Sequence, residues 1–216
     1  RTNSRNQAKK NIMAHYDLGN DMYQSFLDPR MQYSSALFLS PKDTLADAQL
    51  NKLTRICEKL RLCENDHLLE VGTGWGGLAL FAAKNYGCNV TTTTISDEQL
   101  NYAKTQVQAA GLESKITVLG QDYRALKGQY DKIVSVEMIE AVGKRYLAGF
   151  FEKLNSLLNP NGLMMLQAIT IADQRYAEYS RSEDFIQKHV FPGGFLPSMK
   201  SMSQIMADKT DLVIRD

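Results

Sequence analysis

Leu69-Glu70-Val71-Gly72-Thr73-Gly74-Trp75-Gly76 joins a short apolar run to a helical pattern, and the reading of that junction decides the fold. Leu68 to Val71 suits a buried strand, and Leu78 to Tyr86 has helical periodicity ended by Gly87. Glycines between them let the chain turn sharply and let a ligand approach the main chain with no Cβ in the way. A glycine cluster also marks a plain turn, so the motif has to be judged by its surroundings. Its spacing is not G-x-G-x-x-G, which argues against a pyrophosphate-binding loop.

The alternation continues outward from the motif. Val90 to Ile95 reads as a second strand, rich in Thr and Val. Ser96-Asp97-Glu98-Gln99 has the form of a capping box. It opens a helix with Leu100, Ala103, Val107 and Ala110 on one face, closed by Gly111. Ile116–Leu119 and Lys132–Val136 read as third and fourth strands. Leu147, Phe150, Phe151, Leu154, Leu157 and Leu158 form a helical stripe, and Pro160-Asn161-Gly162 separates it from a fifth strand, Leu163–Ile171. Strands alternating with helices predict an α/β fold with a mostly parallel sheet, helices on both faces, and ligands at the carboxyl ends of the strands.

Three regions follow: a helical segment over 1–64 with a stripe at Leu50, Leu53, Ile56, Cys57 and Leu60; an α/β core over 65–172; and 173–216, an insertion followed by the start of a further sheet portion. The chain begins at Arg1 without Met and stops at Asp216 within an expected strand, Leu212-Val213-Ile214, so it reads as part of a longer protein, incomplete at the C-terminus. The 216 residues suffice for one buried core, with 44% hydrophobic and 23% charged residues and a net charge of +1. That balance provides no global field for capturing nucleic acid or a membrane. Cys57, Cys63 and Cys88 form no CxxC pair, no metal-ligand spacing is visible, and reduced thiols in a cytoplasmic setting are expected. No apolar run approaches the ~18 residues of a membrane span, and no signal peptide is visible.

The later strand ends carry further polar groups. Gln121-Asp122-Tyr123 follows the third strand, where a resemblance to methyltransferases implies an acid against a base amino group and where the alternative reading of Asp122 is a cap or turn residue. The second strand ends in Thr94-Ile95-Ser96, then Gln99, with no acid for ribose hydroxyls, which counts against a nicotinamide enzyme.

His15-Tyr16-Asp17-Leu18-Gly19-Asn20, Met31-Gln32-Tyr33-Ser34, Gly72-Thr73-Gly74-Trp75-Gly76-Gly77, Thr94-Ile95-Ser96 with Gln99, Met138-Ile139-Glu140, and Phe191-Pro192-Gly193-Gly194 with Leu196-Pro197-Ser198 together resemble the cyclopropane fatty acid synthases, in order and across nearly the whole chain. The glycine loop likewise resembles motif I of Rossmann-like class I methyltransferases. The resemblance implies that Tyr33, Ser34, Gly72, Thr73, Gly74, Trp75, Thr94, Ile95, Ser96, Gln99, Gln121, Asp122 and Tyr123 hold S-adenosylmethionine. It implies further that Glu140, with Ser35, Gln167 and the backbone of Ile169, holds a bicarbonate ion beside the sulfonium methyl. On residues alone, Glu140 reads equally as a surface carboxylate at a helix start. The chain departs from the family in three places, with Ser35 for a cysteine, Ala141 for a histidine after Glu140, and Gln167 for a histidine; Leu166-Gln167 with Ile169 resembles a plant-like branch. Ser and Gln still donate hydrogen bonds to an anion.

The implied reaction is transfer of a methylene group to the cis double bond of an unsaturated phospholipid acyl chain, closing a cyclopropane ring. An alkene attacks the sulfonium methyl, a carbocation forms, and a base removes a proton from the added carbon. Water would quench the cation, so the site has to be dry. Tyr16 and Tyr33 are candidate cation-tolerant faces, and Phe191 and Phe195 candidate acyl contacts, with core packing an equal reading of each. His15 and His189 read as structural. The substrate places the enzyme at the periphery of a membrane, where Arg1, Arg5, Lys9 and Lys10 form either a headgroup contact or a solvated linker. A homo-oligomer is left open. The resemblance also implies a catalytic tyrosine beyond Asp216. The rival readings are a methyltransferase of the same fold acting on another lipid or an amine without ring closure, and a cofactor-binding remnant without activity.

Overall fold

The computed structural model describes residues 20–181, 191 and 193–216. Helices α1 (Asn20–Phe26) and α2 (Leu45–Lys59) precede β1 (His67–Val71), α3 (Gly77–Tyr86), β2 (Asn89–Thr93), α4 (Asp97–Ala109), β3 (Ile116–Leu119), β4 (Tyr130–Val136), α5 (Leu147–Leu157), β5 (Leu158–Gln167), α6 (Asp173–Tyr179) and α7 (Met199–Lys209). The strands form one sheet in the order β3-β2-β1-β4-β5, every pairing parallel. The chain therefore builds outward from β1 to β3, then returns to place β4 on the other side of β1. That reversal opens a crevice between the carboxyl ends of β1 and β4.

The two-residue period of the strands distributes the core. Leu68 and Val134 join one apolar cluster with Leu53, Ile56, Leu60, Leu78, Ala82 and Val107; Leu69 and Ile133 join a second with Phe150, Phe151, Leu154 and Met202. Adjacent residues thus face opposite sides of the sheet, with α2, α3 and α4 on one face and α5 and α7 on the other. The expected sheet with helices on both faces is what the chain forms.

Local chemistry sets the helix ends. Thr44 and Asp47 cap α2 reciprocally, and Ser198 and Ser201 do the same for α7. Gly76 and Gly87 bracket α3 in left-handed conformations that a side chain would strain. The expected box at Ser96 is only half formed. Ser96 Oγ accepts from Gln99 N at 3.3 Å, but Gln99 Oε1 accepts instead from Thr94 Oγ1, which also accepts from Ser96 N.

Two strand expectations are corrected. Pro160-Asn161-Gly162 lies inside β5: residues 159–162 bulge opposite Asp131, since Tyr130 pairs with Leu158 and Lys132 with Leu163. Asn161 takes a positive φ of 65° to make that turn, and β5 ends at Gln167, short of the expected Ile171. Leu212-Val213-Ile214 is irregular, because it finds no ladder partner among the described residues, and Val213 stays 80% exposed. His15, Tyr16, His189, Arg1, Arg5, Lys9 and Lys10 lie outside the described residues. No helix among the described residues is long and apolar enough to cross a membrane.

Candidate active site

The switch-point crevice is a cavity, and the β1–α3 loop forms its floor. Gly72 N and Thr73 N both donate to Thr93 O at 3.1 Å, which hangs the loop from the end of β2. Gly72 (φ 105°) and Gly74 (φ 53°) hold conformations suited to glycine, and a Cβ on Gly74 would meet no atom within 4 Å. Of the residues expected to hold the nucleoside ligand, Tyr33, Ser34, Gly72, Thr73, Gly74, Trp75, Thr94, Ile95, Gln99, Gln121, Asp122 and Tyr123 all line this cavity. Ser96 does not; it is buried as the cap of α4.

Aromatic rings close one side. The Tyr23 ring lies tilted at 4.8 Å from Trp75 and edge-on at 5.3 Å from Tyr33, which is 44% exposed. Trp75 Nε1 donates to Asn20 Oδ1 at 2.8 Å, which anchors the indole to α1. Phe191 lines the cavity. For Phe195 the core reading holds: it is buried between Tyr176 and Tyr179, and its N–H donates to Glu140 O at 2.8 Å.

The polar wall is more tightly bonded than the sequence suggests. Asp122 is both a cap and a pairing acid: it accepts from Arg124 N and Nε through Oδ1, at 2.9 and 2.8 Å, and from Nη2 through Oδ2 at 2.6 Å. Burial pushes the Tyr123 phenol up to about 12, so it stays a neutral donor. Glu70, which sequence reasoning left without a role, also lines the cavity. Its Oε2 lies 2.6 Å from Thr92 Oγ1, which in turn lies 2.7 Å from Thr73 Oγ1. Burial pushes Glu70 up to about 8, with the Thr92 hydrogen bond only partly opposing it.

The four residues expected around a bicarbonate ion fall into two pairs, Ile169 with Glu140 and Ser35 with Gln167, and the second pair meets at Glu137. Glu140 Oε1 accepts from Ile169 N at 2.5 Å, while Oε2 is buried with no partner among the described residues. Burial raises the Glu140 carboxyl above its ordinary range. Ser35 N and Gln167 Nε2 both donate to Glu137 Oε1, each at 2.8 Å, and Gln167 Nε2 also reaches Ser35 O at 3.2 Å. Glu137 lines the cavity; Ser35, Gln167, Ile169 and Glu140 are not part of its lining. An added anion would have to displace this carboxylate from Ser35 N and Gln167 Nε2, so as they stand these two donors do not fit bicarbonate.

A buried cation completes the wall. Lys52 Nζ donates to Ser34 Oγ at 2.6 Å; burial pushes it down to about 8 although Glu137 and Asp28 pull the other way. Gln49 Nε2 adds a donor to Ser34 O at 2.9 Å. Glu137 and Lys52 were missed from sequence. The available signal for Glu137 was a pair of glutamates three residues apart, directly after an apolar strand; Lys52 lies within a helical stripe and offers none.

Against known proteins, residues 3–216 match the model of the mycolic acid cyclopropane synthetase family. The chain is 42% identical to the tuberculostearic acid methyltransferase of Mycobacterium tuberculosis over 99% of its length and 51% of that protein's. It is 43% identical to the cyclopropane-fatty-acyl-phospholipid synthase of Escherichia coli over 88% of its length and 47% of that protein's. The chain thus spans about half the length of these relatives. A mycolic acid cyclopropane synthase crystallised with SAH and CTAB superposes with a TM-score of 0.88 at 32% identity, covering 96% of this chain and 76% of that one. This chain belongs to the mycolic acid cyclopropane synthetase family.

Proposed function

We propose that this chain carries the methyl-transfer site of an S-adenosylmethionine-dependent enzyme that adds a one-carbon unit to the cis double bond of an unsaturated phospholipid acyl chain and closes it to a cyclopropane. The observation that carries the reading is a single cavity in which the Gly72–Trp75 loop, the Tyr33 and Trp75 rings and the Glu137 carboxylate all take part. Gly72, Thr73, Gly74 and Trp75 would hold the amino-acid part of the methyl donor, with Thr94, Ile95 and Gln99 around its ribose and Gln121, Asp122 and Tyr123 around its base. Residues 1–64 would contribute Tyr33 and Ser34 to a core over 65–172, with 173–216 supplying Phe191 to the acyl side.

Chemistry follows from these surroundings. The alkene is a weak nucleophile, so the acyl chain and the methyl have to be held in line, which the rigid loop and strand ends favour. Aromatic faces at Tyr33 and Trp75 tolerate the positive charge that moves from sulfur to the acyl chain. Apolar walls from Leu78, Met138, Val142 and Phe191 keep water from the cation. Access to phospholipid would place the full-length enzyme on a membrane surface from the cytoplasmic side.

Mass spectrometry of lipids from cells expressing the full-length protein tests this. A gain of one methylene on unsaturated acyl chains that survives mild hydrogenation, with ring-specific fragments, is the expected result. The same gain as a methyl branch, or as a product that takes up hydrogen, would instead favour methyl transfer without ring closure, which the likeness to a tuberculostearic acid methyltransferase supports. No gain on any lipid would refute both.

A further inference from the structure

We propose that the Glu137 carboxylate stands in this chain where the family resemblance puts bicarbonate, and that it takes the proton released when the transferred carbon closes onto the acyl chain. The inference rests on the lipid one-carbon transfer proposed above. Three observations carry it.

The first is occupancy. The donors available to an anion at this point, Ser35 N and Gln167 Nε2, both end on Glu137 Oε1 at 2.8 Å. Its other oxygen, Oε2, holds no hydrogen bond to any described residue, and Glu137 lines the cavity. A tethered carboxylate loses no translational freedom on taking up these donors, so it outcompetes a free anion of like charge.

The second is backbone conformation. Glu137 has a φ of 47°, a left-handed region that a side-chain-bearing residue enters at a cost. It is held there from both sides, by Glu137 N donating to Gln167 O at 2.8 Å and by the side-chain bonds to Ser35 and Gln167. Strain of this kind persists where the surroundings over-determine it, commonly at a functional site.

The third is charge. Lys52 is close enough for Glu137 to act on its titration, so a cation stands near this carboxylate. Glu140 feels Glu137 as a like charge, which adds to the burial that raises its own carboxyl. Asp28 is the remaining charged group acting on Lys52.

The step balances without a co-reactant beyond the methyl donor. The alkene π pair forms the first C–C bond to the methyl as the S–C bond breaks, its electron pair staying on sulfur as a thioether. A C–H bond of the added carbon then breaks. Its electron pair forms the second C–C bond, and the proton passes to Glu137, which becomes a neutral acid. A proton beside a carbocation is strongly acidic, so an ordinary carboxylate is base enough.

The test uses the full-length enzyme in buffers stripped of carbon dioxide, with bicarbonate added back, and reads both turnover and calorimetric binding of bicarbonate. The native enzyme is expected to turn over equally with and without bicarbonate and to show no binding heat. Glu137→Gln should lose activity by about 100-fold or more while keeping S-adenosylmethionine affinity within about threefold. Glu137→Gly, which relieves the positive φ and frees both donors, should lose activity similarly, then bind bicarbonate and recover turnover with it. Bicarbonate dependence or binding in the native enzyme would overturn the inference, as would full activity in Glu137→Gln. No product at any bicarbonate concentration would refute the proposed function and the proton transfer with it.

Discussion

Replacing Glu70 by Gln should make the fold less sensitive to alkali by an amount the structure lets us work out. Glu70 is fully buried beneath the glycine loop, and burial lifts its carboxyl from an ordinary 4.5 to about 8. Between those values the unfolded chain has released this proton and the folded chain has kept it. Stability therefore falls as pH rises, by about 1.4 kcal/mol per pH unit. The contribution is complete below pH 4.5 and is lost through about pH 8, so pH 5 to 8 spans a loss of about 4 kcal/mol. Water reaching the cavity reduces this, and a difference of about 2 to 4 kcal/mol is the expected range. Gln keeps an oxygen for Thr92 but has no proton to lose, so its curve should lack that slope. The chain has one tryptophan, Trp75, buried beside the same loop, and its emission reports urea unfolding at each pH. The native-minus-variant difference cancels every other titrating group. Parallel stability curves for the two proteins between pH 5 and 8 would refute the reasoning and mean that Glu70 is ionised in the fold.

Three further outcomes are expected. Gly77→Ala would put a Cβ 2.4 Å from both Arg30 O and Gln32 Nε2, displacing the Met31–Ser34 arm; a loss of about 1–3 kcal/mol and weaker S-adenosylmethionine binding should appear in thermal melts with and without ligand. Thr94→Val removes the bond to Gln99 Oε1 and leaves Ser96 N unpaired in a buried place, so calorimetry should register about tenfold weaker S-adenosylmethionine binding, equal to about 1.4 kcal/mol. Phe150→Ala empties a fully buried site in edge contact with Phe151 and Tyr123; a loss of about 3–5 kcal/mol should lower the melting temperature sharply, and an unchanged melt would mean that the α5 face repacks around the void.

The α/β order of the chain was legible because each signal is local. An apolar run of four or five residues, a glycine needing positive φ, and a Ser or Thr before a helix all act within a few positions, so β1 to β4 and the helices between them fall close to where periodicity places them. The cavity lining was legible for a related reason. In a parallel sheet the polar residues just past each strand converge at one edge, and Gly72–Trp75, Thr94 with Ile95 and Gln99, and Gln121–Tyr123 do so. Boundaries were less so where pairing decides them: β5 runs through Pro160-Asn161-Gly162 because its ladder with β4 absorbs a bulge, and Leu212–Ile214 has strand-like residues but no ladder partner among the described residues.

What sequence alone determined, then, was the alternation of elements, the glycine turn and the residues gathered at the strand ends, since these depend on neighbours in the chain. Only the tertiary structure decided which of those groups meet. Ser35 and Gln167 reach Glu137 across 102 and 30 residues of chain, Lys52 reaches Ser34 across a helix stripe that hides it, and Glu70 is forced toward its neutral form by surroundings drawn from three strands. Hydrogen bonding and desolvation depend on distance in space, and no local pattern in the chain encodes it.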